Sequence, residues 1–304
     1  MLRRLAHSRF FKAPQRQTSW AEWEPQGYHY RLNVPGKSFI PSSFGQGAKK
    51  FVRCHPPHTF LQRGLKDLLT SFLGYTHVDA SAALNFHKMF VLDKTMAASL
   101  LKVDSHKRTT RSYLDVGAGD GAVTSEMASL FSHVTATEAS EACHHTLSKN
   151  PMIDRAYLTT NLSSLVEGKH RFDVVSLFNV LDRCNKPKSL LAEACECLKL
   201  DGGKMIVAMV YPYRPFVVEN KLLKQEPEER IFPTAALGEE PLHDSTFEAF
   251  CEAVLTGFFQ PAGLSLYSYT RVPYMCQNND DMGTPFSCLD CAIFVLERRG
   301  VEER

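Results

Sequence analysis

Apolar and polar positions change rhythm along this 304-residue chain. Residues 13–58 mix Pro, Gly, Ser and aromatics without a sustained period, which predicts an irregular or partly disordered arm. From His58 the pattern becomes helical. Phe60, Leu61, Leu65, Leu68, Leu69, Phe72 and Leu73 fall on one stripe and predict an amphipathic helix. A second helix is expected over Asp93–Leu101, after the apolar run Met89-Phe-Val-Leu92. Both precede the core and are expected to cap it.

The core then alternates. Strand-like runs are Tyr113–Val116, Val134–Glu138, Ala156–Thr159, Phe172–Phe178 and Lys204–Val210. Helix-like runs between them are Ala122–Leu130, Glu141–Ser148 and Ser189–Leu198. The fourth and fifth strands are almost entirely apolar, the signature of strands covered on both faces of a parallel sheet. After a polar insertion from Tyr213 to His243, a helix fits Ser245–Phe259. Strands Leu264–Arg271 and Cys291–Leu296 follow without a helix between them, so the last strand should run antiparallel. The expectation is an α/β, Rossmann-like sheet of seven strands with an antiparallel last strand and an N-terminal helical extension. Residues 1–57 form the arm, and residues 58–299 form one domain that includes the cap helices. No internal repeat is seen.

Composition narrows this only slightly. Net charge is +2, which gives no general argument for nucleic-acid binding. The charge is uneven: residues 1–60 carry ten Lys/Arg against Glu22 and Glu24, so +8, and the remainder carries −6. The first twelve residues are Arg-rich and free of acids, which fits a mitochondrial transit peptide or a disordered basic tail. The expected compartment is intracellular, mitochondrion or cytoplasm. No apolar run approaches the roughly 18 residues of a membrane span. Nine cysteines without regular spacing read as reduced thiols. Cys288-x-x-Cys291 has no second pair at zinc-site spacing, so no metal is expected.

Candidate chemistry collects at the carboxyl ends of the strands, where open α/β sheets bind ligands. After the first core strand comes Asp115-Val-Gly117-Ala-Gly119-Asp120-Gly121. Its G-x-G-x-G spacing departs from the dinucleotide fingerprint G-x-G-x-x-G. Its flanking acids disfavour a pyrophosphate and tolerate a ligand with an ammonium and a sulfonium, pointing to S-adenosylmethionine. Glu138 closes the second strand and could accept both ribose hydroxyls, or could serve as a charge at a helix start. Asn161, after the third strand, could bond the adenine edge or be a turn residue. Asn179 and Asp182 follow the buried fourth strand; Asn179 would face the cofactor, and Asp182 could instead cap a helix or pair with Arg183.

Leu114-Asp-Val-Gly-Ala-Gly-Asp-Gly121, Ala136-Thr-Glu138 and Asn179-Val-Leu-Asp-Arg-Cys184 resemble the seven-strand S-adenosylmethionine-dependent methyltransferases. More narrowly, the chain resembles the DREV family, methyltransferase-like proteins that methylate histidine in other proteins. The narrower likeness lies in the segment from Pro212 to Asn220, Phe259-Gln-Pro-Ala-Gly263, Thr270-Arg-Val-Pro-Tyr-Met-Cys276, Leu289-Asp290 and Ala292–Leu296. It runs from about Leu61 to Glu297. The resemblance implies N-methylation of the pros nitrogen of histidine in His-x-His motifs with a small middle residue. It gives Asp115, Gly117, Glu138, Asn179 and Tyr274 to the cofactor and Asp182 to the substrate imidazole. Gly119, Asp120 and Asn161 join the expected cofactor contacts by position; Arg214, Glu219 and Asn220 are expected along the substrate groove. The expected partners are protein substrates carrying His-x-His, met by a monomer whose product is S-adenosylhomocysteine. The competing expectations are a methyltransferase for a small molecule or lipid, and a non-catalytic scaffold on the same fold.

Overall fold

The computed structural model describes residues 38–299, apart from 43–44, 73–79, 82–83, 85, 87, 108, 110, 220–222, 233–245 and 279–283. The expected targeting segment and Asn220 lie outside these residues.

Alternation builds the centre of the sheet. In β2 (Ser112–Val116), β5 (Val174–Phe178) and β6 (Lys204–Tyr211), one set of side chains packs to each face. Leu114, Val116, Val175, Leu177, Met205, Val207 and Met209 join one core layer. Tyr113, Val174, Ile206, Ala208 and Val210 join the other. Each fully buried side chain of this kind is worth ~1.5–3 kcal/mol over its exposed state. The first layer is covered by helices at Ser163–Glu167, Pro187–Cys197 and Phe247–Val254, the second by helices at Lys94–Leu101 and Ala122–Ala128.

With β1 (Met89–Phe90), β3 (His133–Glu138), β4 (Arg155–Leu158), β9 (Leu264–Gln277) and β10 (Phe286–Arg298), the sheet order is β1-β9-β10-β6-β5-β2-β3-β4. Strands β4, β3, β2, β5 and β6 are parallel, whereas β10 runs antiparallel to both β6 and β9. This is the predicted seven-strand α/β sheet with its antiparallel last strand. An eighth, two-residue strand is added: β1 pairs Met89 with Cys276 and Phe90 with Met275. The insertion forms a small hairpin, β7 (Val217–Glu219) with β8 (Leu223–Gln225).

In chain order the helices are α1 (Gln46–Cys54), α2 (Phe60–Phe72), α3 (Lys94–Leu101), α4 (Ala122–Ala128), α5 (Glu141–Leu147), α6 (Ser163–Glu167), α7 (Pro187–Cys197) and α8 (Phe247–Val254). Asp93 caps α3 by accepting from Met96 N at 2.9 Å. Its other oxygen accepts from Gly47 N at 3.2 Å and so ties α1 to α3. Helix α8 widens into a π turn at Leu255–Phe259.

Two expectations need correction. Residues 46–54 are helical rather than irregular, because Ala48, Phe51 and Val52 bury against Met275, Phe286 and Cys288. The domain therefore includes part of the expected arm. Helix α2 forms as predicted, but Phe60, Leu61, Leu65, Leu68 and Phe72 face solvent, with Leu61 82% exposed.

Candidate functional site

The turn between β2 and α4 is built by left-handed glycines. Gly117, Gly119 and Gly121 have φ of 68°, 60° and 81°, a region that costs other residues ~1–2 kcal/mol each. Gly117 is also space-limited: a Cβ there would meet Val180 Cγ2 at 2.7 Å. The turn after β2 is thus in contact with the turn after β5.

Three carboxylates surround the glycine turn, each differently engaged. Asp115 is 2% exposed and accepts from Thr124 Oγ1 and Ser176 Oγ, both at 2.6 Å. Ser176 also bonds the buried Tyr113 hydroxyl at 2.7 Å. Burial pushes the Asp115 carboxyl up to about 6, although those hydroxyls partly offset it. Its side chain therefore knits β2, β5 and α4 together and supports the turn from behind. Glu138 accepts from Gly119 N at 2.8 Å, Ala139 N at 2.9 Å and Ser140 N at 2.8 Å. That uses three of roughly four acceptor positions of a carboxylate. Asp120 accepts from Ala122 N at 3.0 Å and is ion-paired with Lys88.

The turn after β5 carries the other group of residues. Asn179 adopts a left-handed conformation at φ 55°, which Asn tolerates because its short polar side chain bonds locally. Its N–H donates to Ala208 O at 3.1 Å, and its side-chain oxygen accepts from Cys291 Sγ at 3.7 Å. Asp182 is 2% exposed. Its Oδ2 pairs with Arg183 at 2.6 Å, while its Oδ1 is buried with no hydrogen-bond partner. Burial pushes its carboxyl up and Arg183 pulls it back. Arg183 is itself fixed: it donates to Asp182 O at 2.8 Å and Arg214 O at 3.2 Å, and lies 4.0 Å over the Phe216 ring.

Around Asp182 stand two buried phenols. Tyr274, 9% exposed on β9, donates to Met89 Sδ. Tyr213 packs edge-on against Phe232 at 5.5 Å, and its hydroxyl is buried without a partner. Burial is the main cause that raises both phenols, and the Asp182 charge adds to it in each. The same charge acts on the buried Cys291 and the half-buried Cys184.

The structure thus brings Gly117, Asn179, Asp182 and Tyr274 to one end of the sheet. Gly119, Asp120 and Glu138 rim the glycine turn. Asn161 is an exposed turn residue after β4, where its Oδ1 accepts from Ser163 N at 3.2 Å and Ser163 Oγ at 2.6 Å. Arg214 is exposed and offers its carbonyl to Arg183. Tyr213 and Lys88 carried no role in the sequence reading. Pro212-Tyr-Arg-Pro sits inside a matched segment, so Tyr213 was within reach; Lys88 had no local signal. Among the described residues, no group of three or more His, Cys, Asp or Glu could hold a metal ion, and no helix is long and apolar enough to cross a membrane.

The DREV methyltransferase family matches residues 41–298. The chain belongs to that family. The match begins before α1, in keeping with the docking of that helix on the sheet. Solved structures similar to this DREV methyltransferase include a TehB-like SAM-dependent methyltransferase from Corynebacterium glutamicum, at 12% identity and TM-score 0.38, covering 68% of this chain and 95% of that one. A putative RNA methyltransferase, PH1948 from Pyrococcus horikoshii, shows 12% identity and TM-score 0.43 over 80% of this chain and 98% of its own. The CcbJ methyltransferase from Streptomyces caelestis shows 17% identity and TM-score 0.39 over 67% and 88%. Likenesses this distant carry no weight for substrate or mechanism.

Proposed function

We propose that this chain is an S-adenosylmethionine-dependent protein-histidine N-methyltransferase. It acts on the pros nitrogen of histidine in His-x-His motifs with a small middle residue. The observation that carries the reading is Asp182 Oδ1, a buried acceptor without a partner in the turn that touches the glycine turn. Unpaired buried acceptors are costly and call for a ligand donor.

The residues present fit the cofactor. Gly119 leaves open space beside the turn, with nothing within 4 Å of where a Cβ would stand, and the acids around the turn suit a cationic ligand. Bound there, S-adenosylmethionine supplies an electrophilic methyl group and leaves as S-adenosylhomocysteine. Gly117, Gly119, Glu138 and Asn179 would hold it, with Glu138 having one acceptor position left for the ribose.

Asp182 does the orienting. A neutral imidazole has one N–H and one lone pair. If the tele N–H donates to Asp182 Oδ1, the tautomer is fixed and the pros lone pair points away from the carboxylate towards the glycine turn. Arg183 keeps Oδ2 occupied, so one oxygen is presented to the ring. As the new N–C bond forms, the ring gains positive charge, which the adjacent carboxylate stabilises; the tele proton then passes to Asp182 or to solvent. Neutral imidazole is already nucleophilic, so positioning supplies most of the catalysis. Tyr274 closes the wall of the pocket. The proposal is tested by mass spectrometry of methylhistidine in cells lacking the protein: His-x-His sites lose pros-methylation and regain it with the wild-type chain, whereas an unchanged methylhistidine profile contradicts it.

A further inference from the structure

The glycine turn is bordered by Asp115, Asp120 and Glu138. These charges suit the ammonium and sulfonium of the proposed cofactor and leave its carboxylate without a counter-charge. A cation reaching the turn from elsewhere in the chain would supply that counter-charge. Lys88 reaches it. From just before β1, its Nζ is ion-paired with Asp120 Oδ2, with the two side chains 13% and 25% exposed. The backbone of Lys88 is pinned to the end of β9: it donates to Gln277 Oε1 at 3.2 Å and accepts from Gln277 N at 2.9 Å. Lys88 also lines a cavity of about 100 Å³ between α1, β1 and α4, beside Met89, Ala122, Val123 and Glu126. Met89 is the residue that Tyr274 bonds, so the cavity adjoins the Tyr274 wall.

We infer that Lys88 is a specificity-determining residue for the cofactor, its ammonium binding the carboxylate of the amino-acid tail while Asp120 binds the tail's ammonium. The inference rests on the reading of the turn as an S-adenosylmethionine site. Lys88 and Asp120 present a positive and a negative group side by side, and an α-amino acid presents the complementary pair. Each protein charge can exchange its present partner for a ligand charge, so no buried charge is left alone. Asp120 keeps its second oxygen on Ala122 N throughout, so the turn holds its shape during the exchange. A Lys88 that only clamps β1 to the turn would make no distinction between ligands with and without a carboxylate.

Calorimetry on the full chain separates the two roles, with S-adenosylmethionine and its decarboxylated form as probes. The wild type should prefer the carboxylate-bearing ligand by about tenfold or more, the worth of one charge-assisted hydrogen bond. Lys88→Met should abolish that preference while binding the decarboxylated ligand within about threefold of wild type. Lys88→Arg should retain the preference. Asp120→Asn should weaken both ligands alike, because both carry the ammonium. Equal weakening of both ligands by Lys88→Met overturns the inference, as does a wild type that binds the two equally. Failure of the wild type to bind either ligand overturns the cofactor reading itself. Thermal melts monitor folding; if Lys88→Met does not fold, Lys88→Gln carries the test, and its keeping the wild-type preference overturns the inference.

Discussion

Gly117 and Val180 are fitted so closely that a Cβ on the glycine would lie 2.7 Å from Val180 Cγ2. This contact joins the turn that would hold the cofactor to the turn that would hold the substrate. Gly117→Ala is predicted to cost ~1–3 kcal/mol in stability, from its left-handed backbone and the clash, and to weaken S-adenosylmethionine binding at least tenfold. Val180→Ala in the same chain should restore part of the stability by making room. Chemical denaturation of the two single variants and the double variant checks this; strictly additive effects would show that the contact does not couple the turns.

Asp115 should leave a signature in the pH dependence of stability. Its folded-state carboxyl titrates at about 6, against 3.8 unfolded. The folded state therefore holds the proton more tightly, and the stabilisation present below the unfolded value is lost as pH rises through 6. The loss is ~2 kcal/mol between pH 4 and pH 7. Relative to Asp115→Asn, the wild type should lose stability across that window, read as the difference in urea midpoints. Parallel curves for the two proteins would mean that the carboxyl is not perturbed.

Tyr213 should matter for turnover and not for folding. Its hydroxyl is buried without a partner beside Asp182, so Tyr213→Phe removes a desolvated group and keeps the ring packed on Phe232. The melting temperature should hold or rise, while kcat/KM for a His-x-His peptide falls about tenfold, the worth of one hydrogen bond to substrate. Unchanged peptide turnover would assign the hydroxyl no part in substrate binding.

Asp182→Asn keeps the shape of the side chain and removes the charge. Methyl transfer should drop about 100-fold or more with S-adenosylmethionine affinity within about threefold of wild type. In the wild type, kcat/KM should rise with pH through about 6.5, as the substrate imidazole loses its proton. Burial raises Asp182, so protonation of this carboxyl on acidification acts in the same direction. A profile flat from pH 5.5 to 8 would contradict a nucleophilic neutral imidazole.

Much of this arrangement was legible in the chain. Phe172–Phe178 and Lys204–Val210 announce buried parallel strands by apolar runs, and the absence of a helix between the last two strands foretells their antiparallel pairing. Their true length was not legible: β9 runs to Gln277 and β10 starts at Phe286, through Pro273, Ser287 and Asp290, which interrupt the apolar run. Helix α1 was hidden because Ala48, Phe51 and Val52 stand among Lys49, Lys50 and Arg53, and only docking on the sheet gives that stripe a partner. Periodicity showed that α2 is a helix but not that its apolar stripe faces solvent. At the site, the glycine turn and Asp182 were visible as motifs. Lys88 was not, since its position depends on β1 pairing with β9; Tyr213 lay within a matched segment, but its place beside Asp182 depends on the fold of the insertion.

The central claim is that the acceptor is histidine. The direct measurement is labelled methyl transfer from S-adenosylmethionine by the purified chain to an Ala-His-Ala-His-Ala-His peptide, with the product nitrogen assigned by NMR. The account predicts pros-methylhistidine with the wild type, less by about 100-fold or more with Asp182→Asn, and none when every histidine of the peptide is alanine. Label that persists in the all-alanine peptide, or that appears on the tele nitrogen, contradicts it.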